Sequence, residues 1–281
     1  MAEAHHNVIQ HSSDAQGVHQ VCLNRPDAFN ALSSEVMSAL QTCFDAIAQD
    51  PNARVVVLSA KGKAFCAGHD LREMRASPSL AYYQTLFHQC STLMMSIQRL
   101  PVPVIAVVNG IATAAGCQLV AMCDLAVATQ ASKFAVSGVN LGLFCATPSV
   151  ALTRNLSRKA AFEMLVTGDF ITADQALVKG LLNAVVAPDD LETEVHRYVA
   201  SILAKPRTAI AMGKRLFYEQ LEQPLEAAYA NAENTMACNM MDDAALEGVQ
   251  AFIEKRAPSW KSAAEGRGMV PPTGIEPVSL P

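Results

Sequence analysis

The sequence predicts an α/β protein, and three observations carry that expectation. Two uninterrupted apolar runs, Arg54-Val-Val-Val-Leu-Ser-Ala60 and Val104-Ile-Ala-Val-Val108, have the form of strands buried on both faces. Each is followed by a turn and then by a stretch with apolar residues at helical spacing, the alternation expected of right-handed βαβ units around a parallel sheet. At 281 residues and 51% hydrophobic, the chain can bury a core of that size, as one large domain or as one domain with a helical appendage.

The elements follow in order. Gly17 to Asn24 reads as a short strand ending in the turn Asn24-Arg25-Pro26-Asp27, after which Ser33 or Ser34 caps a helix running to about Gln49. Val36, Met37, Leu40, Phe44 and Ile47 give that helix one apolar face. The strand over Arg54–Ala60 is bounded by Lys61-Gly62, and a further helix is expected to begin near Leu71 with Asp70 and Glu73 capping or flanking it. A long helix is expected over Leu80–Gln98, and Pro101 and Pro103 then lead into the second buried run, which Asn109-Gly110 closes. A helix from about Ala114 to Met122 and a strand over Asp124–Ala128 come next, Asp124 serving as a structural hydrogen-bonder.

Beyond Pro148 helical stretches dominate, near Arg158–Val166, Ala173–Lys179, Leu191–Ala204, Pro206–Leu221 and Pro224–Met240, with one strand-like run over Leu182–Val186. These helices are expected to pack on the sheet or on a neighbouring subunit. The division expected is a core over 7–200, a helical region over 201–262 and a floppy tail over 263–281, where Gly, Pro and Ser replace any periodicity. No internal repeat is evident.

A net charge of −5 without a dense Lys/Arg run argues against nucleic acid or an anionic membrane as partner. The cysteines, at 22, 43, 66, 90, 117, 123, 145 and 238, form no CxxC pair and sit mostly in apolar segments, which suits reduced core thiols better than disulfides or a zinc site. No metal and no redox cofactor are expected, since metal-ligand spacings and GxGxxG or P-loop forms are absent. The N-terminal residues lack the basic and apolar regions of a signal peptide, and no apolar run is long enough to span a membrane, so a cytoplasmic location is the expectation.

Chemistry is expected in the loops. Lys63–Met74 and Gly110–Gln118 each follow a buried run, and in open α/β sheets ligands sit in the crevice at the carboxyl ends of strands. Gly68 and Gly116 permit close backbone approach, leaving N–H groups aimed outward at a helix start. Gln118, three residues after Ala115, shares a helix face with it and either orients a water or a bound ligand, or makes a structural hydrogen bond. His88, in mid-helix, reads as packed or exposed rather than as a base.

Four segments together, Leu23-Asn-Arg-Pro-Asp-Ala-Phe-Asn-Ala-Leu32, Ala64-Phe-Cys-Ala-Gly-His-Asp-Leu71, Pro103-Val-Ile-Ala-Val-Val-Asn-Gly110 and Ala115-Gly-Cys-Gln-Leu-Val-Ala-Met-Cys-Asp124, resemble the enoyl-CoA hydratase/isomerase (crotonase) superfamily over roughly residues 7 to 260. The resemblance implies a ββα spiral core with a C-terminal helical trimerisation region, an acyl-CoA thioester as substrate with no separate cofactor, and a homotrimer or dimer of trimers. It implies an oxyanion hole from the backbone N–H groups of His69 and Ala115. Around the CoA it implies Arg25, Ala28, Ala64, Phe65, Ala67, Gly68, Asp70, Leu71 and Gly116. The side chain of His69 titrates in a useful range, yet the family uses only its backbone. Asn140 and Thr147 would lie near the acyl pocket, with Phe144 and Cys145 as its apolar wall.

The departure is as specific as the likeness. Family hydratases carry glutamates at the positions held here by Gln118 and Gly138, and the dienoyl isomerases carry an acid at the position of Ala146. An amide exchanges no proton near neutral pH and glycine has no side chain, while a general acid or base contributes about 10²–10⁴-fold in rate. The expectation is therefore an acyl-CoA thioester-processing protein, nominally a hydratase or isomerase, that keeps the backbone oxyanion hole but lacks both glutamates of ordinary water addition. A binding protein without turnover, or hydrolysis or decarboxylation of an acyl-CoA, stands as the alternative.

Overall fold

The computed structural model describes residues 8–260 except residue 77, so the expected floppy tail lies outside the described residues. Strands β1 (Ile9–Ser13) and β2 (Val18–Leu23) form an antiparallel pair, and α1 (Ser34–Gln49) follows, its first turn capped by the Ser33 hydroxyl accepting from the Val36 N–H. Then β3 (Val55–Ala60), β4 (Ala64–Cys66), α2 (Leu71–Ala76) and α3 (Leu80–Arg99) form one unit. The next contains β5 (Val104–Val108), β6 (Ile111–Thr113) and α4 (Ala115–Met122). A further unit contains β7 (Leu125–Thr129), β8 (Lys133–Ala135), α5 (Ala146–Asn155) and α6 (Arg158–Thr167). After β9 (Ile171–Thr172), α7 (Ala173–Lys179) and β10 (Ala184–Val186) the chain is helical: α8 (Leu191–Leu203), α9 (Arg207–Gln220), α10 (Leu225–Met240) and α11 (Asp243–Ile253).

Each ββα unit sends its first strand to one sheet and its second to another. The larger sheet has the order β1-β2-β3-β5-β7-β10, parallel from β2 onward; the smaller has the order β4-β6-β8-β9, with only β9 antiparallel. The sequence shows no repeat, but the backbone does, because the second strand of each unit is too short to leave a pattern.

The uninterrupted apolar runs are explained by burial on both faces. Val56, Leu58, Val104, Ala106 and Val108 pack into the main core with α1, α3 and α4. Val55, Val57 and Ile105 face the other way, onto Val195 and Val199 of α8. Residue 200, the expected core boundary, falls inside α8.

Helix α9 is tied to the core by a buried cation. The Lys214 ammonium donates to the carbonyls of Ile97 and Val102, each at 2.9 Å, and to Asp124 at 2.6 Å. Asp124 also accepts from the Val104 N–H and the Tyr218 hydroxyl. Burial pulls the Lys214 ammonium below its usual range, and the Asp124 carboxylate opposes that shift. By contrast, α10 buries no residue, and Leu225, Tyr229 and Met236 stand exposed along it.

Of the cysteines, Cys22 is half-buried, Cys238 is exposed and the other six are buried, all as free thiols. Burial pushes Cys43 up to about 11 and Cys66, Cys90 and Cys117 up to about 12, so these are inert packing groups. Among the described residues no helix is long and apolar enough to cross a membrane and no cluster suits a metal ion.

Candidate active site

The loops leaving β4 and β6 meet beside α4. The Leu32 N–H donates to the Gly68 carbonyl at 2.8 Å, and the Asp70 N–H donates to the Leu32 carbonyl at 3.3 Å. Both peptide groups flanking this bridge therefore face Leu32, which leaves the N–H of His69 on the opposite edge, as in any β-bridge. Gly68 makes the close approach possible. Its φ is +92°, and a Cβ there would lie 2.9 Å from the Ala114 Cβ and 3.3 Å from the Ala115 nitrogen.

Ala114 turns the chain from β6 into α4 at φ 51° and ψ −121°, a conformation that alanine adopts at a cost of about 1–3 kcal/mol. The turn is held from both sides: the Ala114 N–H donates to the Ala135 carbonyl and its own carbonyl accepts from the Gln118 N–H. Ala115 is the first residue of α4, so its N–H is one of those a helix leaves without an internal acceptor. Among the described residues neither the His69 nor the Ala115 N–H has an acceptor.

A cavity of about 310 Å³ opens onto this pair. Ala67, His69, Ala114 and Ala115 line it at the two loops, Gly138, Leu143, Phe144 and Cys145 line it from the segment after β8, and Met74 and Phe87 line it from α2 and α3. Among the described residues no carboxylate lines it, and His69 and Cys145 are the only titratable side chains that do. Burial lowers the His69 imidazole, with the Leu32 carbonyl and Glu73 opposing, and neither ring nitrogen has a partner within hydrogen-bonding geometry. Burial raises the Cys145 thiol, with the Gly138 N–H opposing. Both are thus neutral near pH 7, and the cavity offers backbone dipoles without charged side chains.

The residues expected at the site divide by location. Ala67, His69, Leu71, Ala115, Gly138, Phe144, Cys145, Ala146 and Thr147 line the cavity. Gln118 does not: it is buried within α4 at 4% exposure, its amide oxygen has no partner, and it forms no part of the cavity wall. Gly116 faces β4, where a Cβ would lie 2.1 Å from the Cys66 carbonyl oxygen, so it serves helix–strand contact. Ala64 and Phe65 are buried in β4.

Arg25 and Ala28 belong to the turn before α1, Arg25 being paired with Asp70 at 3.2 Å. Asn140 turns away and donates to the Gly168 carbonyl, and His88 is exposed. Sequence reasoning missed Met74, Phe87, Ala114, Ser137, Leu141, Leu143 and Pro148 as lining residues. The periodicity of the long helix could have indicated Phe87 as inward-facing, but not that it faces a cavity.

Residues 13–263 match the family described as enoyl-CoA hydratase/isomerase. The chain belongs to that family. Among curated relatives, enoyl-CoA hydratase domain-containing protein 3, mitochondrial, from Xenopus laevis is 46% identical over 87% of this chain and 83% of its own length. The protein of the same name from Danio rerio is 45% identical over 88% and 85%. Among solved structures, an enoyl-CoA hydratase from Mycobacterium smegmatis aligns with a TM-score of 0.90 at 62% identity, covering 90% of this chain and 99% of that one. Human enoyl-CoA hydratase domain-containing protein 3 aligns with a TM-score of 0.87 at 42% identity, covering 90% and 100%.

These likenesses establish the crotonase-type fold and a place in acyl-CoA chemistry. They also overturn the expected cytoplasmic location: relatives at 44–46% identity carry the word mitochondrial in their names, and an N-terminus without an obvious leader is no evidence against that.

Proposed function

We propose that this chain binds acyl-CoA thioesters with the carbonyl oxygen between the N–H groups of His69 and Ala115, and that hydration by paired carboxylates is not its chemistry. The observation that carries the reading is one cavity lined by two residues whose backbone N–H groups have no acceptor, and by no carboxylate among the described residues. Two such donors stabilise an enolate-like oxygen; each is worth about 3–4 kcal/mol in enzymes that use them. CoA enters as part of the substrate. Arg25 and Asp70, expected around the CoA, act here through the loop that carries His69.

The Gly138 side supports the second half of the reading. A Cβ at that position would lie 2.3 Å from the Leu143 carbonyl oxygen and 2.7 Å from the Cys145 sulfur, so the space an acidic side chain would enter is filled. Binding without hydration is favoured over the nominal hydratase activity. The exposed apolar side chains of α10 fit subunit contacts in a homotrimer or dimer of trimers.

Calorimetric titration with acetoacetyl-CoA, paired with a crotonyl-CoA hydration assay, tests the reading. Saturable binding with hydration at the buffer rate is expected. Absence of binding at millimolar ligand, or hydration at rates typical of enzymes, would overturn it. Mass spectrometry over a panel of acyl-CoAs identifies hydrolysis or decarboxylation if either occurs.

A further inference from the structure

The donor at His69 is held from one side by contacts within and between residues 25–34 and residues 68–73. Beyond the two Leu32 hydrogen bonds, the Asp70 carboxylate divides its oxygens. Oδ1 accepts the N–H groups of Arg72 and Glu73 at 3.1 and 3.3 Å, capping α2, and Oδ2 pairs with the Arg25 guanidinium at 3.2 Å. The same guanidinium donates to the Ala31 carbonyl at 3.1 Å, one residue before the bridge partner of His69. Glu73 reaches back and accepts the Ser34 N–H and hydroxyl, filling an orphan position at the start of α1.

Arg25 is itself fixed. Its N–H donates to the Asn30 Oδ1 at 2.8 Å, while the Asn30 amide, buried at 1% exposure, donates to the carbonyls of Lys61 and Ala64. The guanidinium and carboxylate are half-buried, at 27% and 16% side-chain exposure, where a charge-assisted hydrogen bond is stronger than at an open surface. None of Arg25, Asn30, Asp70 or Glu73 lines the cavity. Their geometry bears on it only through the loop that carries His69.

We propose that Asp70, through Arg25, is the positioning residue of the oxyanion site: the pair sets the register of residues 68–70 on Leu32 and thereby the direction of the His69 N–H. The assignment rests on the oxyanion reading above. A donor must lie within hydrogen-bonding reach of the oxygen that develops charge, and displacement of about 1 Å is enough to cost a large part of its effect. A network that fixes the carrier loop without touching the ligand supplies that precision.

The test reads the enolate of bound acetoacetyl-CoA by its ultraviolet absorbance, a signal that reports polarisation of the carbonyl rather than occupancy. Asp70→Asn keeps a side chain able to cap α2 and removes the charge that pairs with Arg25. Calorimetry gives the occupancy separately, and at equal occupancy the enolate-to-keto ratio of the bound ligand is expected to fall about tenfold, short of the roughly 10²–10³ for complete loss of a donor. Arg25→Gln is expected to give the same loss, and the double variant no more than either alone, since both break one interaction.

An undiminished enolate signal in the single variants, or losses that add in the double variant, would overturn the positioning role and leave the binding reading standing. Failure of the unmodified protein to bind acetoacetyl-CoA would overturn both. Should Asp70→Asn fail to fold, Arg25→Gln decides the matter, with Arg25→Lys expected to recover part of the signal.

Discussion

The two sides of the cavity are built from different materials. At Gly68–His69 and Ala114–Ala115 the groups proposed to act are peptide N–H donors, on turns made by a glycine at φ +92° and an alanine at φ 51°. Across from them, Gly138 and the segment through Leu143, Phe144 and Cys145 contribute apolar bulk, with a thiol held neutral by burial. A backbone donor survives any substitution that leaves the fold and the turn intact, whereas a side-chain acid is lost in a single replacement. The family fold and a side-chain acid can therefore part company, and the proposed reading is that this chain keeps the first kind of machinery without the second.

The largest expected effect comes from disturbing the donor side. Gly68→Ala adds a Cβ at a φ that disfavours it and drives that atom to 2.9 Å from the Ala114 Cβ and 3.2 Å from the Thr113 carbonyl oxygen. The loops must separate at the point where their N–H groups converge. The bound enolate fraction of acetoacetyl-CoA is expected to fall about 10²-fold, as for loss of one donor. Spectrophotometric titration checks it, and an unaltered signal would mean that the donors are elsewhere.

That dependence on backbone explains what was legible in the sequence. Strands buried on both faces and long amphipathic helices announce themselves by pattern: α3 spans Leu80–Arg99 against an expected Leu80–Gln98, and α7 spans Ala173–Lys179 as expected. The three-residue strands β4, β6 and β8 are shorter than any period and read as loop, although they carry the site. Helix α5, with Pro148 in its first turn, offered no apolar stripe, whereas α11 had a usable signal in Asp242 followed by Leu246, Val249 and Phe252.

A peptide N–H has no residue signature, so the donors at His69 and Ala115 came only from likeness to a family. Gln118, a side chain, was readable, but helical spacing says which residues share a face and not whether that face meets a cavity. The Arg25–Asp70 pair joins residues 45 apart in the chain, and no local pattern could link them.

A middle-sized effect sharpens the other side of the comparison. If loss of two carboxylates were the whole departure, Gln118→Glu with Gly138→Glu would create a hydratase. The crowding at Gly138 argues otherwise: its Cβ would sit 2.3 Å from the Leu143 carbonyl oxygen, a backbone atom that can move only with its segment. Gly138→Ala alone is expected to cost about 1–3 kcal/mol of stability, typical of overpacking. The double glutamate variant is expected to lose more and to hydrate crotonyl-CoA no faster than the parent. Urea denaturation and the hydration assay decide; a stable, active double variant would show that the two sides differ in side chains alone.

The smallest effect distinguishes the sides by charge. Burial pushes the Asp70 carboxyl up, but the Glu73 N–H, the Arg25 guanidinium and the Arg72 N–H pull it further down, so it lies below the ordinary carboxylate range in the folded chain. Unfolding releases it to about 3.9. A group whose folded value is depressed stabilises fully above its unfolded value, and that contribution is lost as pH falls through the folded one. Urea midpoints of the parent and Asp70→Asn should therefore differ by a constant amount from about pH 5 to 8, and the gap should close below about pH 4. A half-buried pair of this kind is worth about 1 kcal/mol or less, so the gap is small. Its disappearance in acid, rather than its size, is what assigns it to the charge on Asp70; a gap that persists at low pH would belong to packing, and the donor side would then resemble the apolar wall opposite it.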